Sequence, residues 1–215
     1  MHPPCKPGPP TTKLIDTMPT SPISTLLPRT GGQILVDQLH VHGIGHVFCV
    51  PGESFLAVLD ALYDAWINVT VCRQEGGVAM MAEAHGKLTG VPGIGFVTRG
   101  PGATNAAHGI HVAKQDSTPM ILFVGQIARG TRGREAFQEL DYRAVFGPLA
   151  KWATEIDDPA RIPEIVSRAF HVATSGAPWT GGDCAAGRHA DRVMRSRQRA
   201  TVQADRKLAR RAGST

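Results

Sequence analysis

The chain reads as an α/β protein, a three-layer α/β/α domain built on a parallel sheet. Short, continuous apolar runs alternate with helix-like stretches of about ten residues, the pattern of buried parallel strands joined by crossover helices. Nearly every run ends at glycine or proline, where the chain must turn. Hydrophobic residues make up 42% of the 215 residues and aromatics only 6%. That balance suits an aliphatic α/β core better than an aromatic-packed sandwich. A chain of this length builds one good core rather than two or three domains.

Taken in order, Ile34–His42 is the first predicted helix. His46–Val50 (HVFCV) is the first strand and stops at Pro51-Gly52. Phe55–Trp66 is helical, and Val69–Cys72 (VTVC) is the second strand. Glu75–Leu88 is helical, with Met80 and Met81 expected to fill the core, as is Met120. Ile94–Thr98 (IGFVT) is the third strand and runs into a Gly-Pro-Gly turn. Thr104–Ala113 is helical, with Thr104 a candidate cap. Met120–Gly125 (MILFVG) is the fourth and most apolar strand. Trp152–Ile156 (WATEI) alternates and is a weaker fifth, followed by a helix over Ile162–Thr174. Right-handed crossovers gather the loops after all these strands on one edge, where such sheets bind ligands.

Composition divides the chain into three zones. Residues 1–29, rich in Pro, Thr and Ser without a period, are expected to form a disordered leader. Residues 30–178 form the ordered body. Residues 179–215 hold nine Lys/Arg against three Asp/Glu, whereas residues 1–178 hold fourteen against fifteen. The net charge of +5 therefore belongs to an Arg-rich, disordered tail, and the body is near neutral. A charge run without recognition residues is a solvated one, so no nucleic acid is expected. No membrane span and no apolar signal core are expected either. Cys5, Cys49, Cys72 and Cys184 lack metal-ligand spacing. Cys49 and Cys72 each end an apolar run and read as buried thiols of a reducing, cytoplasmic compartment. His40, His42 and His46 are not spaced as a metal set, and no metal site is expected.

The chemistry lies in the turns after the strands: Pro51-Gly52-Glu53, Arg73-Gln74-Glu75-Gly76-Gly77, Thr98 through Asn105, and Gly125-Gln126. Gly100-x-Gly102 before a helix hints at anion or dinucleotide binding. That signal is weak, because these glycines follow the third strand and the third glycine of the fingerprint is absent. There is no Walker sequence.

Together, VPGES, CRQEGGVAMMAEAHGKLTG, FVTRGPGATN, QDSTPMILFVGQ and AFQELDYRAVFG followed by AKWATEI resemble the N-terminal, pyrimidine-binding domain of thiamine-diphosphate enzymes of the acetolactate-synthase kind. The resemblance covers residues 30–178. It implies the thiamine-diphosphate-binding fold and a carboligase or lyase acting on 2-oxo acids. It implies that Glu75, in the RQEGG motif, hydrogen-bonds a ring nitrogen of the cofactor's pyrimidine. A carboxyl in an apolar pocket shares a proton with such a ring more readily than one in water. By the same resemblance, Pro51, Gly52, Gly100, Pro101, Gly102 and Asn105 pack against the cofactor. Glu53, Gln126, Phe137, Gln138 and Lys151 match positions on the substrate side.

This chain also departs from that family. Its first loop is Pro-Gly-Glu-Ser where plain acetolactate synthases tend to show Pro-Gly-Gly-Ala, which points to a related carboligase. His85 and His108 replace residues usual in relatives. The Gly-Asp-Gly domain that holds Mg²⁺ against the diphosphate has no counterpart here. The resemblance therefore implies a truncated chain, inactive alone, or else a pyrimidine-binding subunit that pairs with a separate diphosphate-binding chain. FAD rests mainly on a middle domain in many relatives, so this segment does not decide its use. After Pro178 relatives continue with a buried strand close to GPVVIALPEDML, whereas here WTGGDCAAGRHAD follows. A one-base shift of frame at Trp179 permits the family text. The expectation is a frameshifted tail and a sheet missing its last strand.

Overall fold

The structure, a computed structural model, describes residues 28–176. Residues 1–27 of the expected leader, residues 177 and 178 of the expected domain and the Arg-rich tail lie outside these residues.

Four strands form one parallel sheet in the order β2-β1-β3-β4. They are β1 (His46–Cys49), β2 (Asn68–Val71), β3 (Gly93–Val97) and β4 (Met120–Val124). Helices cover both faces. On one face lie α1 (Gly31–Val41), α2 (Leu56–Tyr63) and α7 (Ile162–Thr174). On the other lie α3 (Glu75–Thr89), α4 (Pro101–Asn105), α5 (Ala107–Gln115) and the short α6 (Tyr142–Phe146).

The two-residue period of the strands sorts the core into two layers. Val47 and Cys49 of β1, with Ile94 and Phe96 of β3, pack on Leu35, Leu39, Leu62, Val166 and Phe170. Phe48 and Val97 face the other way, onto Val78, Ala79, Ala82, Ala103 and Tyr142. Every residue of β3 is buried. The α3 helix comes close enough to β3 that a Cβ on Gly93 would lie 1.8 Å from the Ala82 carbonyl oxygen. Only glycine permits that approach. Cys49 and Cys72 are buried free thiols, as expected, and belong to opposite core layers.

Local signals fix the helix ends. Thr30 and Gln33 form a reciprocal capping box at α1, with contacts of 3.2 and 2.9 Å. The Gln74 side chain caps α3 through the Gly77 amide, and Gly90, at φ +70°, closes it. His42 stacks on Phe170 at 4.0 Å, and Gly31 lies beside Ile162 at the other end, so α1 and α7 run side by side in the same direction.

Four expectations need correction. The helix expected over Thr104–Ala113 is two helices, α4 and α5, separated at Ala106. Gly100, not Thr104, occupies the first cap, and the Thr104 hydroxyl donates to the Pro101 carbonyl inside the turn. Met80 and Met81 are exposed on the outer side of α3, because Val78, Ala79 and Ala82 take the inner side. Trp152–Ile156 is not a strand. It runs extended without a ladder, since β4 pairs only with β3 among the described residues. A strand exists only with a partner, and alternation alone does not supply one.

Candidate functional site

The sheet order reverses between β1 and β3: β2 lies to one side of β1 and β4 beyond β3. The crossovers leave on opposite faces there, which opens a crevice at the carboxyl ends of the strands. The loops after β1, β2 and β3 meet at that crevice.

Glu75 is the first residue of α3 and is half-buried. One carboxylate oxygen, Oε2, accepts a hydrogen bond from the Asn105 side-chain amide at 3.0 Å. The other, Oε1, lies against Gly102. A Cβ on Gly102 would come within 3.2 Å of it and within 2.6 Å of the Thr98 methyl. Gly102 is therefore glycine for space. Gly100 is glycine for conformation, at φ +59°. Its amide donates to the Tyr142 hydroxyl at 2.8 Å, and Gln138 packs over its Cα. Burial pushes the Tyr142 phenol up, against the downward pull of the Gly100 hydrogen bond, so the hydroxyl stays protonated.

The loop after β1 is tied to the loop after β3. A Cβ on Gly52 would lie 2.6 Å from Thr98 Cβ. Ser54 and Thr98 share a hydrogen bond of 2.9 Å between hydroxyls. Glu53 and Arg99 form an ion pair at the rim, with Arg99 largely buried and Glu53 largely exposed. The buried Arg99 Nε has no hydrogen-bond partner among the described residues. On the far side of Glu75, His108 covers the Cα of Gly76, where a Cβ would fall 2.2 Å from its ring.

Among the residues singled out from sequence, the structure thus gathers Glu75, Asn105, Gly100, Pro101 and Gly102, with Pro51, Gly52 and Glu53 joined through Thr98 and Arg99. Gln138 borders the group, and Phe137 beside it is 76% exposed. Two residues are engaged elsewhere. The Gln126 amide donates to the Leu140 carbonyl at 3.2 Å and to Glu155 at 2.9 Å, and its oxygen accepts from the Ile127 amide. It ties β4 to the segment after α6. Lys151 donates to the carbonyls of Val172 (2.9 Å) and Ser175, closing the carboxyl end of α7. In a parallel α/β sheet that helix end faces the edge opposite Glu75.

Sequence reasoning gave no individual role to Ser54, Thr98, Arg99 or Tyr142, although Thr98 and Arg99 lie in a turn it singled out. The position of Tyr142, directly after an aspartate that caps α6, was its one available signal. A hollow of about 530 Å³ lies apart from Glu75, lined by Arg132, Glu139, Leu140, Asp141, Arg143, Glu155 and Asp157. Its groups are engaged with the protein: Arg132 pairs with Glu155, and backbone amides led by that of Gly133 hold Glu139 below the usual carboxylate range. It reads as a structural junction. Among the described residues no cluster of three or more His, Cys, Asp or Glu is arranged to hold a metal, and no helix is long and apolar enough to cross a membrane.

Residues 29–145 match the family described as thiamine pyrophosphate enzyme, N-terminal TPP binding domain. The chain is 39% identical over 160 residues to the acetolactate synthase of Bacillus subtilis, covering 74% of this chain and 28% of that protein. It is 38% identical over 151 residues to the mitochondrial acetolactate synthase catalytic subunit of Aspergillus candidus, covering 70% and 22%. It is 38% identical over 172 residues to the mitochondrial acetolactate synthase of Schizosaccharomyces pombe, covering 78% and 26%. The chain spans about a quarter of the length of these relatives.

Proposed function

This chain belongs to the thiamine pyrophosphate enzyme family through its N-terminal TPP binding domain, and from that membership we propose that it binds the pyrimidine ring of thiamine diphosphate. In this reading it is the first domain of an acetolactate-synthase-like carboligase or lyase acting on 2-oxo acids such as pyruvate. The observation that carries the proposal is Glu75 at the switch point, with one oxygen held by Asn105 and the other open beside Gly102. The residues fit the group. A glycine-floored shelf would let a flat ring approach the backbone, and the Glu75 carboxyl at its edge would be the group to meet a ring nitrogen.

When bound, thiamine diphosphate supplies the carbanion chemistry for making and breaking the bond beside a carbonyl. The chain's own residues bind and orient it. Glu75 holds or shares a proton at Oε1. Gly100, Pro101 and Gly102 form the floor, and Pro51 and Gly52 form the wall. Glu53 and Arg99 form an ion-paired rim toward the substrate side, where Gln138 and Phe137 also stand. Gln126 and Lys151 serve this site from a distance, by fixing β4 and α7. Mg²⁺ and the diphosphate are assigned to a complementary domain, on the same or a second subunit. FAD is left to the middle domain of such proteins.

We also place residues 179–215 in a shifted reading frame. Among the described residues no strand pairs with the outer edge of β4, which is consistent with this, and resequencing the locus tests it. A family-like continuation in the overlapping frame is expected, and its absence would sink the idea. An independent gene for the remaining domains would favour the second reading, a pyrimidine-binding subunit that works with a separate diphosphate-binding chain.

The direct test is titration with thiamine diphosphate and Mg²⁺, followed by circular dichroism and thermal shift. The chain should be stabilised by the cofactor, and Glu75→Gln should weaken binding roughly tenfold or more, as loss of a hydrogen bond to a charged group does. Equal binding by both proteins would remove Glu75 from the site.

A further inference from the structure

We infer that Asn105 is a positioning residue that assigns the two oxygens of Glu75 to different tasks: Oε2 to the protein and Oε1 to the ligand. This rests on the reading of Glu75 as the group that meets the pyrimidine.

The Asn105 amide nitrogen donates to Oε2 at 3.0 Å. An ionised carboxylate only accepts, so the nitrogen and not the oxygen of the amide must face it. Oε1 accepts no hydrogen bond among the described residues. It faces the one position in the loop, Gly102, where any side chain would intrude on it.

The support behind Asn105 is rigid. It is the last residue of α4, whose start is set by the left-handed Gly100 and by Pro101. Tyr142 holds the Gly100 amide from the core. The helix ends at Asn105, and the side chain there reaches back across thirty residues of sequence to α3.

The residue type matters as much as the distance. A lysine or arginine in this place would also fix the carboxylate, but its charge would hold the acid ionised. An amide fixes the oxygen without adding charge, so the free oxygen keeps its capacity to take and return a proton. Asn105 thereby restricts rotation of the Glu75 carboxylate and presents a single acceptor edge.

The experiment uses the full chain and two readouts. By NMR, the Asn105 side-chain amide resonances of the wild type should differ from those of Glu75→Gln, as expected of a donor to a carboxylate. By calorimetry with thiamine diphosphate and Mg²⁺, Asn105→Asp, which keeps the size and loses the donor, should bind roughly tenfold more weakly. Asn105→Ser, whose shorter side chain falls short of Glu75, should do the same, with far-ultraviolet dichroism unchanged in both. An amide that does not respond to Glu75 in the wild type overturns the inference whatever the binding shows. Wild-type binding retained in full by Asn105→Asp and Asn105→Ser overturns it and leaves the proposed function standing. An amide that responds while the wild type binds no cofactor overturns the proposed function, and the role of Asn105 toward the ligand with it.

Discussion

From β2 across β1 to β3 the sheet is continuous, each strand hydrogen-bonded to its neighbour and β3 buried along its whole length. β4 in turn pairs with β3 along its whole length, and the change comes at its outer edge. The outer edge of β4 has no ladder among the described residues, four of its five residues are only partly buried, and residues 152–158 pass beside it as irregular chain. Side chains do there what backbone does on the other half. Gln126 reaches Glu155, Arg132 reaches Glu155, Lys151 closes α7, and Arg168 lies 5.0 Å over the Trp152 ring. The loops that gather Glu75, Asn105 and Gly102 spring from the continuous half. The candidate site therefore stands on the loops after the paired strands β1, β2 and β3, while the segment after β4 contributes its rim through Gln138 and Tyr142.

This contrast makes its strongest prediction in the core. Phe96 is 1% exposed and stacks between Phe55 and Phe123 at 5.9 and 5.0 Å. Phe96→Ala should cost about 3–5 kcal/mol of stability. Trp152→Ala, which removes a partly buried ring and its cation contact, should cost about 1–2 kcal/mol. Urea unfolding followed by dichroism measures both. Similar losses would show that the two halves are equally consolidated.

The next test fills the open edge. A chain that continues after Pro178 with the family-like segment GPVVIALPEDML in place of the tail should gain about 3 kcal/mol, the burial of one or two branched aliphatic side chains. Hydrogen exchange should slow at the amides of residues 120–124 and stay unchanged in β1. No gain and no added protection would show that β4 is complete as it stands.

The same contrast explains what the sequence could tell. The four strands were legible because each is a short run rich in apolar and β-branched residues, although their burial differs: β3 is buried throughout, while β2 at the sheet's other edge is mostly exposed. Trp152–Ile156 carries a strand-like pattern too, but a pattern does not provide a pairing edge, and here none is present among the described residues. α6 escaped notice because five residues do not complete a helical period that can be recognised. Met80 and Met81 were misread because hydrophobic type was weighed without projecting α3 onto its two sides. At the site, Glu75 and the glycines were legible from their motifs. The partnership of Glu75 with Asn105 was not, since nothing local links side chains thirty residues apart. Tyr142 under Gly100 was hidden for the same reason.

The smallest expected effect lies at the junction beside the outer edge of β4, which carries no ladder among the described residues. Burial raises the Glu155 carboxyl, but the hydrogen bonds from Arg132 and Gln126 and the Arg132 charge outweigh it, and the net shift is downward from the ordinary 4.5. A carboxylate whose folded value is depressed stabilises the fold fully above its unfolded value and loses that contribution as pH falls through the folded one. Stability from this junction is thus present at neutral pH and lost below the ordinary carboxylate range. Arg132 is more than a third exposed, so solvent screening limits the contribution to about 1 kcal/mol or less. Urea unfolding of the wild type at pH 7 and at about pH 3, below the ordinary carboxylate range, should show an acid loss that is smaller in Glu155→Gln by that amount. Salt should diminish the difference, because the pair is partly solvated. An identical acid loss in both proteins would mean that Gln126 and the α7 contacts alone hold residues 152–158 beside β4, and that the Arg132–Glu155 pair is a passenger at the edge.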